Sequence, residues 1–146
     1  MSLYLDSAYI AKCYLNEPDA SAVRGLVRGR ARLTSSVWCR AELACVFRRH
    51  VREGGLDPQA AQELHDLFAH DVQANIWTLI PVSTRLLDTL DTRLRGLPAD
   101  LYLRAGDAVH LHTAAEGGFG EIWSNDRHLL AAAGAFGLRG RSVTGS

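Results

Sequence analysis

The sequence predicts an α/β domain in which helices cover both faces of a mostly parallel sheet. Short apolar segments alternate with longer segments of helical spacing along the whole chain. The first of them, 3–5, is a continuous apolar run that ends at Asp6, which is typical of a strand buried on both faces. The 146 residues are enough for one domain with a substantial core and too few for two. We therefore expect one domain over 1–143 and a short tail at 144–146.

Capping and turn residues divide the chain into its individual elements. Asp or Ser stands before most predicted helices, and Gly or Pro follows most helix ends. The strongest start signal is Asp57-Pro58, and Asp19 is expected to cap the second helix. The predicted strands lie at 3–5, 33–36, 77–82, 121–124 and 138–143. The predicted helices lie at 7–16, 20–30, 37–53, 58–74, 84–94, 104–116 and 126–135.

The charges balance overall but are unevenly placed. Because the formal net charge is zero, gross charge does not indicate a nucleic-acid partner. Residues 20–55 nevertheless hold eight arginines against Glu42 and Glu53, while 56–92 hold six acids against Arg85 alone. Arginine suits bidentate phosphate contacts, and a general codon bias toward arginine explains the same pattern. Both explanations stay open.

Cysteine usage and hydropathy exclude several classes of protein. Cys13, Cys39 and Cys45 are odd in number and form no C-x-x-C pair, so neither a disulfide scaffold nor a zinc site is expected. Cys13 and Cys45 lie among apolar residues, which predicts that both are buried. No segment approaches the roughly 18 apolar residues of a membrane span. Asp6 interrupts the N-terminus too early for a signal peptide, so we expect a cytoplasmic protein.

Four acids stand in unusually apolar surroundings: Asp6, Glu42, Asp107 and Asp126. Isolated buried carboxylates tend to protonate, and several gathered together repel one another unless a cation neutralises them. Mg²⁺ and Mn²⁺ are hard ions that take oxygen ligands, and such a site can activate water and stabilise charge on a phosphate. No grouping of Cys and His competes as ligands. The four acids therefore point to metal-assisted phosphodiester cleavage.

Each of the four acids also has an ordinary structural explanation. Asp6 and Asp126 could cap the helices that follow them. Glu42 could pair with Arg40 or another surface arginine, and Asp107 could be solvated. Spacing alone does not bring the four acids together.

Four segments of the chain resemble the PIN domain, and most closely the VapC-type toxins of toxin–antitoxin pairs. The segment 103–111, Leu-Arg-Ala-Gly-Asp-Ala-Val-His-Leu, is the most specific of them. The resemblance covers essentially the whole chain. The other matching segments are 4–8, the helix around Glu42, and 123–133, with Gly137-Leu138 at the end.

The resemblance implies a three-layer α/β/α sandwich with a parallel sheet of about five strands in the order 3-2-1-4-5. That order puts Asp6 beside Asp126. The resemblance also implies that the four acids surround Mg²⁺ or Mn²⁺ and that metal-activated water cuts single-stranded RNA, leaving a 5′-phosphate and a 3′-hydroxyl. Ser7 and Ser124 match small hydroxyl positions that assist the acids.

The resemblance further implies two protein partners. One is a small antitoxin whose C-terminal segment packs on the helices of 37–74 and reaches the active site, and the other is a second copy of the chain in a homodimer. Trp38, Phe47 and Phe68 could line the antitoxin groove, or they could belong only to the core.

Basic residues could guide the RNA. Arg40, Arg48 and Arg49 lie on the Glu42 helix and are the candidates for steering RNA toward the acids. A second arginine group could form a phosphate-contacting edge or simply a solvated helix face. Its members are Arg24, Arg28, Arg30 and Arg32.

Two other motifs carry less weight, and one alternative function stays open. His110 and His112 lie on different faces of a helix, so joint metal binding is not expected. The segment 117–120, Gly-Gly-Phe-Gly, is a turn rather than a phosphate cradle. The main alternative is a catalytically silent PIN-like module that binds RNA or protein. The intact set of four acids argues against it, because a binding module does not need them all.

Overall fold

The computed structural model describes residues 2–30 and 32–145 and confirms the α/β fold. The strands are β1 (Ser2–Tyr4), β2 (Arg32–Ser36), β3 (Trp77–Ile80), β4 (Glu121–Trp123) and β5 (Arg139–Arg141). The helices are α1 (Ser7–Tyr14), α2 (Ala20–Val27), α3 (Cys39–Arg52), α4 (Pro58–Gln73), α5 (Thr84–Arg95), α6 (Ala105–Glu116) and α7 (Arg127–Ala132). A 3₁₀-helix at Ala133–Phe136 follows α7.

Every strand pairing among the described residues is parallel. β1 pairs with β2 and β2 with β3, in a register that places Leu3 opposite Leu33 and Leu33 opposite Trp77. β4 pairs with β5 separately. The described strands thus form a three-stranded and a two-stranded ladder, and a parallel bridge between Leu5 and Trp123 joins them, which roughly matches the expected order 3-2-1-4-5. Within the described parts of the chain, the two ladders are connected only through that bridge, which places the carboxyl ends of β1 and β4 side by side.

The core lies on both faces of the sheet, as the apolar first strand predicts. Leu3 and Leu5 pack into one buried cluster, with residues of α1 to α4, while Tyr4 between them packs into the other, with residues of α5 to α7. This alternation follows from the two-residue period of a strand. Phe47 and Phe68 are buried in the first cluster and therefore belong to the core, whereas Trp38 is exposed.

Most capping predictions hold, but one is wrong. Asp57 and Ser83 accept hydrogen bonds from backbone N–H groups at the starts of α4 and α5. Asp19 does not cap α2, because its φ of 68° puts the residue in the left-handed region. Its carboxylate instead accepts a hydrogen bond from Asn125 Nδ2 at 3.4 Å.

Several element boundaries also differ from the prediction. The helix predicted from 37 begins at Cys39, because Ser36 Oγ accepts the N–H of Trp38 at 3.1 Å and holds a turn there. The strand predicted at 77–82 ends early, at Ile80, and the strand predicted at 138–143 covers only Arg139–Arg141. Of the predicted tail, Thr144 and Gly145 lie outside helices and strands, and position 146 lies outside the described residues.

The burial prediction for the cysteines is wrong for Cys45. Cys45 is exposed, Cys13 is half-buried and Cys39 is buried. Cys45 lies on the side of α3 that borders a surface cleft rather than the core. No helix in the described parts of the chain is long and apolar enough to cross a membrane.

Gly140 is where β5 approaches α7 most closely. A Cβ at Gly140 would lie 2.9 Å from Leu130 Cδ2 and 3.2 Å from the Leu130 carbonyl oxygen. Because the backbone contact is not relieved by a rotamer change, Gly140→Ala is expected to destabilise the fold by about 1–3 kcal/mol. Gly25→Ala in α2 is the matched control, since nothing lies within 4 Å, and it should stabilise by about 0.5–1 kcal/mol. Urea unfolding measures both, and equal stability of Gly140→Ala and the unmodified protein would contradict this packing.

Candidate active site

The four acids line one cleft of about 660 Å³ at the carboxyl edge of the sheet. Asp6 directly follows the bridge residue Leu5, and Asp126 lies three residues beyond the end of β4. Glu42 and Asp107 come from the first turns of α3 and α6. The structure therefore brings together the four acids that the sequence singles out, and we call this cleft the acidic cleft.

Asp6 is buried and has a partner on each carboxylate oxygen. Its Oδ1 accepts the N–H of Tyr9 at 3.0 Å, which caps α1, and its Oδ2 accepts the hydroxyl of Ser124 at 2.5 Å. Burial raises the pKa of Asp6, and the hydrogen bonds from Ser124 and Tyr9 offset only part of that rise. An ionised Asp6 is therefore costly unless a positive charge lies close by.

Glu42 is positioned by a chain of buried polar groups. Its Oε1 accepts the hydroxyl of Ser7 at 2.6 Å and lies 2.7 Å from His110 Nε2. The other ring nitrogen, Nδ1, lies 2.9 Å from the Tyr4 hydroxyl. Burial raises the pKa of Glu42, but the hydrogen bonds and charge of His110 and the hydroxyl of Ser7 outweigh it, so the pKa falls below its usual value. Glu42 is consequently ionised at neutral pH.

Asp107 and Asp126 share one cation, the guanidinium of Arg104. Arg104 Nε donates to Asp107 Oδ2 at 3.1 Å, and its Nη2 donates to Asp126 Oδ2. Burial raises the pKa of Asp107 above its usual value despite Arg104. Burial also raises the pKa of Asp126, but the backbone N–H groups of Leu129 and His128, which its Oδ1 caps, and Arg104 bring that pKa below its usual value.

Sequence reasoning missed Arg104 and His110 as parts of the site. Both lie three residues from Asp107, one before and one after, so they share a helix face with it. Their spacing of three residues from Asp107 is the feature of the sequence that could have identified both as parts of the site. His112 lies elsewhere, with its Nε2 2.8 Å from Thr89 Oγ1, so the two histidines do face different ways.

The three candidate RNA-guiding arginines are not gathered in the acidic cleft. Arg49 lines the cleft and forms ion pairs with Glu17 at 3.8 Å and Glu53 at 3.9 Å. Arg48 lines a separate cavity of about 400 Å³ between α3 and α4. Arg40 is exposed and is not among the residues that line either cavity.

The side chains of the acidic cleft are chemically suited to a divalent cation, although they are not arranged as a preformed coordination site. Four carboxylates are the oxygen donors that Mg²⁺ and Mn²⁺ prefer. Within residues 2–30 and 32–145, no three His, Cys, Asp or Glu side chains are arranged to hold a metal ion. Arg104 supplies the positive charge between Asp107 and Asp126. A divalent cation held by Asp107 and Asp126 would supply positive charge that Arg104 now provides.

The fold and the cleft define a class of protein: a three-layer α/β/α domain with carboxylates at the carboxyl edge of the central parallel strands. The sequence profile of the PIN domain matches residues 3–135. Ribonuclease VapC46 of Mycobacterium tuberculosis is 32% identical over 139 residues, which covers 94% of both chains. The chain therefore belongs to the PIN-domain family, which confirms the resemblance to VapC-type ribonucleases.

Solved structures share the fold at low sequence identity. M. tuberculosis VapC20, described as a sarcin–ricin loop cleaving toxin, superposes with a TM-score of 0.67 at 16% identity, over 94% of this chain and 98% of VapC20. VapBC2 from Rickettsia felis, bound to a promoter DNA fragment, has a TM-score of 0.65 at 16% identity, over 97% and 98% of the two chains. FitAB bound to a DNA fragment has a TM-score of 0.66 at 14% identity, over 98% and 95%.

The buried hydrogen bond between Ser124 and Asp6 leads to a test without metal. Asp6→Asn removes a desolvated charge and keeps an acceptor for Tyr9, so at pH 7 in EDTA its thermal midpoint should equal or exceed that of the unmodified protein. Ser124→Ala leaves Asp6 Oδ2 buried without its donor and should cost about 1–3 kcal/mol. Because the pKa of Asp6 is raised on folding, its destabilising effect builds up as pH rises from the ordinary pKa of an aspartate to the raised pKa, and it is fully present above the raised pKa. The advantage of Asp6→Asn should therefore shrink toward pH 4, and an Asp6→Asn protein less stable than Ser124→Ala would contradict this account.

Arg104 should compete with a divalent cation for Asp107 and Asp126. Removing a charge-assisted pair of this kind shifts a binding constant by about tenfold, so Arg104→Ala is expected to bind Mn²⁺ about tenfold more tightly. Isothermal calorimetry and the Mn²⁺-induced rise in melting temperature measure this. Arg95→Ala is the matched control, because Arg95 pairs with Asp91 at 2.7 Å outside the cleft. Equal or weaker Mn²⁺ binding by Arg104→Ala would show that the guanidinium does not compete.

Proposed function

We propose that this protein is a divalent-metal-dependent endoribonuclease that cuts single-stranded RNA and serves as the toxin of a toxin–antitoxin pair. The observation that carries the proposal is the convergence of the four acids in one cleft of a PIN domain. The relative in M. tuberculosis is named a ribonuclease, and the structural neighbour VapC20 is described as a sarcin–ricin loop cleaving toxin. These descriptions support the same activity for this chain.

In this proposal the four acids hold Mg²⁺ or Mn²⁺. When bound, a divalent cation supplies positive charge beside the scissile phosphate and lowers the pKa of a coordinated water. In the hydrolysis an oxygen of water forms a bond to phosphorus, and the bond from phosphorus to the 3′-oxygen breaks. The products are a 3′-hydroxyl and a 5′-phosphate.

The chain's own residues orient the carboxylates. Ser7 and His110 fix Oε1 of Glu42, and Ser124 fixes Oδ2 of Asp6. Arg104, whose side chain is 54% exposed, is free to contact the phosphate once a cation takes over the neutralisation of Asp107 and Asp126. We therefore assign Ser7, Ser124 and His110 as positioning residues and Arg104 as a phosphate-contacting residue.

The proposal includes two protein partners and a place of action. A cognate antitoxin is supported by the likeness to VapBC2, which was solved as a complex on DNA from its promoter. A homodimer and a role in the cytoplasm, where the RNA substrates are, complete the proposal. Arg40, Arg48 and Arg49 stay candidates for RNA contact, with Arg49 at the cleft itself.

A cleavage assay tests the proposal directly. The protein, freed of any antitoxin, is incubated with single-stranded, hairpin and duplex RNAs, including a sarcin–ricin loop hairpin, with Mn²⁺ or with EDTA. We expect cutting of unpaired RNA that needs the metal. Changes beside metal ligands cost about 10–100-fold, so Asp6→Asn should lower the rate by at least about 100-fold.

Asp88→Asn is the matched control, because it makes the same change at an exposed acid on α5 outside the acidic cleft. It should cut RNA at the unmodified rate. Mn²⁺ should raise the melting temperatures of the unmodified protein and of Asp88→Asn by similar amounts, and it should raise the melting temperature of Asp6→Asn by less. A folded protein that neither cuts RNA nor gains stability from Mn²⁺ would leave the silent binding module as the function.

A further inference from the structure

Two exposed aromatic side chains of the described residues belong to segments that contribute to the acidic cleft. Among the described residues, six large apolar side chains are exposed, and only two of them are aromatic, Trp38 at 41% and Tyr102 at 56%. Of these six, Trp38 alone lines the acidic cleft; Tyr102 and the four aliphatic side chains do not. The aliphatic ones are Leu67, Ile76, Leu87 and Leu94.

Trp38 borders the cleft on the side of α3 and α6. It lines the cleft directly. A Cβ on Gly106 would lie 3.2 Å from Trp38 Nε1 and 3.1 Å from Glu42 Oε2. The absence of a side chain at 106 is therefore what lets the indole lie against α6, next to Asp107. The indole of Trp38 lies against α6 at its Nε1 edge, and the residue remains 41% exposed.

Tyr102 does not line the acidic cleft, but it contacts a residue next to one that does. Its ring lies 4.3 Å from the ring of His128, centroid to centroid, at an angle of 41°. The backbone N–H of His128 donates to Asp126 Oδ1, and Arg104, two residues after Tyr102, donates to Asp126 Oδ2. One face of Tyr102 is thus supported by a second ring, while more than half of its surface is exposed.

The charges of the site favour an apolar contribution to RNA binding. The chain has no net charge, and the cleft is lined by four carboxylates against Arg49 and Arg104, which already have carboxylate partners. Attraction of phosphates through counterion release is correspondingly weak. Unpaired bases can instead stack on aromatic side chains, with a gain of about tenfold or more in affinity per base. Bases in a duplex have no free face to offer.

We propose that Trp38 and Tyr102 are base-stacking residues that hold unpaired nucleobases on the two sides of the scissile phosphate. This inference rests on the proposed ribonuclease function and adds how the substrate is held. It makes the preference for single-stranded RNA a property of two exposed rings. The phosphate between the two bases then lies over the four acids.

The test measures RNA affinity separately from catalysis. The probe is a fluorescein-labelled oligouridylate of about 12 nucleotides, within the usual range of site sizes. Binding is measured with Mg²⁺ in an Asp6→Asn background, which prevents cleavage. Added Trp38→Ala or Tyr102→Ala should each raise the Kd about tenfold. Trp38→Phe and Tyr102→Phe should stay within about twofold, because a phenyl ring still stacks.

Three controls separate stacking from other causes. Leu87→Ala removes an apolar side chain that is 46% exposed on α5, outside the cleft, and should leave the Kd unchanged. Placing abasic nucleotides in the probe should weaken binding to the Asp6→Asn protein but cause less additional loss in the alanine variants. The oligouridylate annealed to oligoadenylate should bind weakly and equally to all of them.

The outcomes are distinguishable from failure of the proposed function. Stacking is wrong and the ribonuclease function stands if the unmodified protein cuts RNA and both alanine substitutions change neither RNA affinity in the Asp6→Asn background nor cutting in the otherwise unmodified protein. If the unmodified protein neither binds nor cuts RNA, the proposed function itself fails. If the alanine variants keep full RNA affinity but lose binding to the cognate antitoxin, the two rings form a protein-docking surface, which also overturns the inference.

Discussion

The constraint on which the site depends is the cost of holding four carboxylates in one cleft. Burial and mutual repulsion both disfavour their ionised forms. Helix N-termini offset part of this cost. Asp6 and Asp126 cap α1 and α7, and Glu42 and Asp107 lie in the first turns of α3 and α6. Unpaired N–H groups and the helix dipole favour negative charge at all four positions. Helix capping by Asp6 and Asp126 and their place in the acidic cleft are therefore compatible, because the same helix N-termini stabilise both.

The four carboxylates are stabilised to different extents by their partners, and the directions of their pKa shifts reflect this. Asp126 and Glu42 have enough donors to lower their pKa values, from two backbone N–H groups and Arg104 in one case and from His110 and Ser7 in the other. Asp6 and Asp107 keep raised pKa values because burial outweighs their partners. The cleft is thus short of positive charge where a cation would contribute most. Arg104 supplies part of that charge and links α6 to the end of β4.

The same charge balance shapes how a substrate could be held. A nucleic-acid-binding surface commonly relies on clustered basic residues, but this chain carries no net charge, and Arg48 lies away from the acidic cleft. In the proposed stacking, the exposed rings of Trp38 and Tyr102 would provide a contact that does not depend on charge. Metal binding, phosphate contact by Arg104 and base stacking would then divide recognition between the reacting centre and the bases beside it.

The sequence by itself determined the alternation of strands and helices, the two-sided burial of 3–5 and the identity of the four acids, because these depend on local periodicity and on residue type. It left open whether the acids converge, since that depends on one bridge, between Leu5 and Trp123, that joins two ladders. The tertiary structure alone decided which side of α3 Cys45 faces and which groups pair with the acids. Arg104 reaches Asp126 across 22 positions, and His110 reaches Glu42 across 68. No local pattern encodes such contacts, because they exist only once the helices have packed.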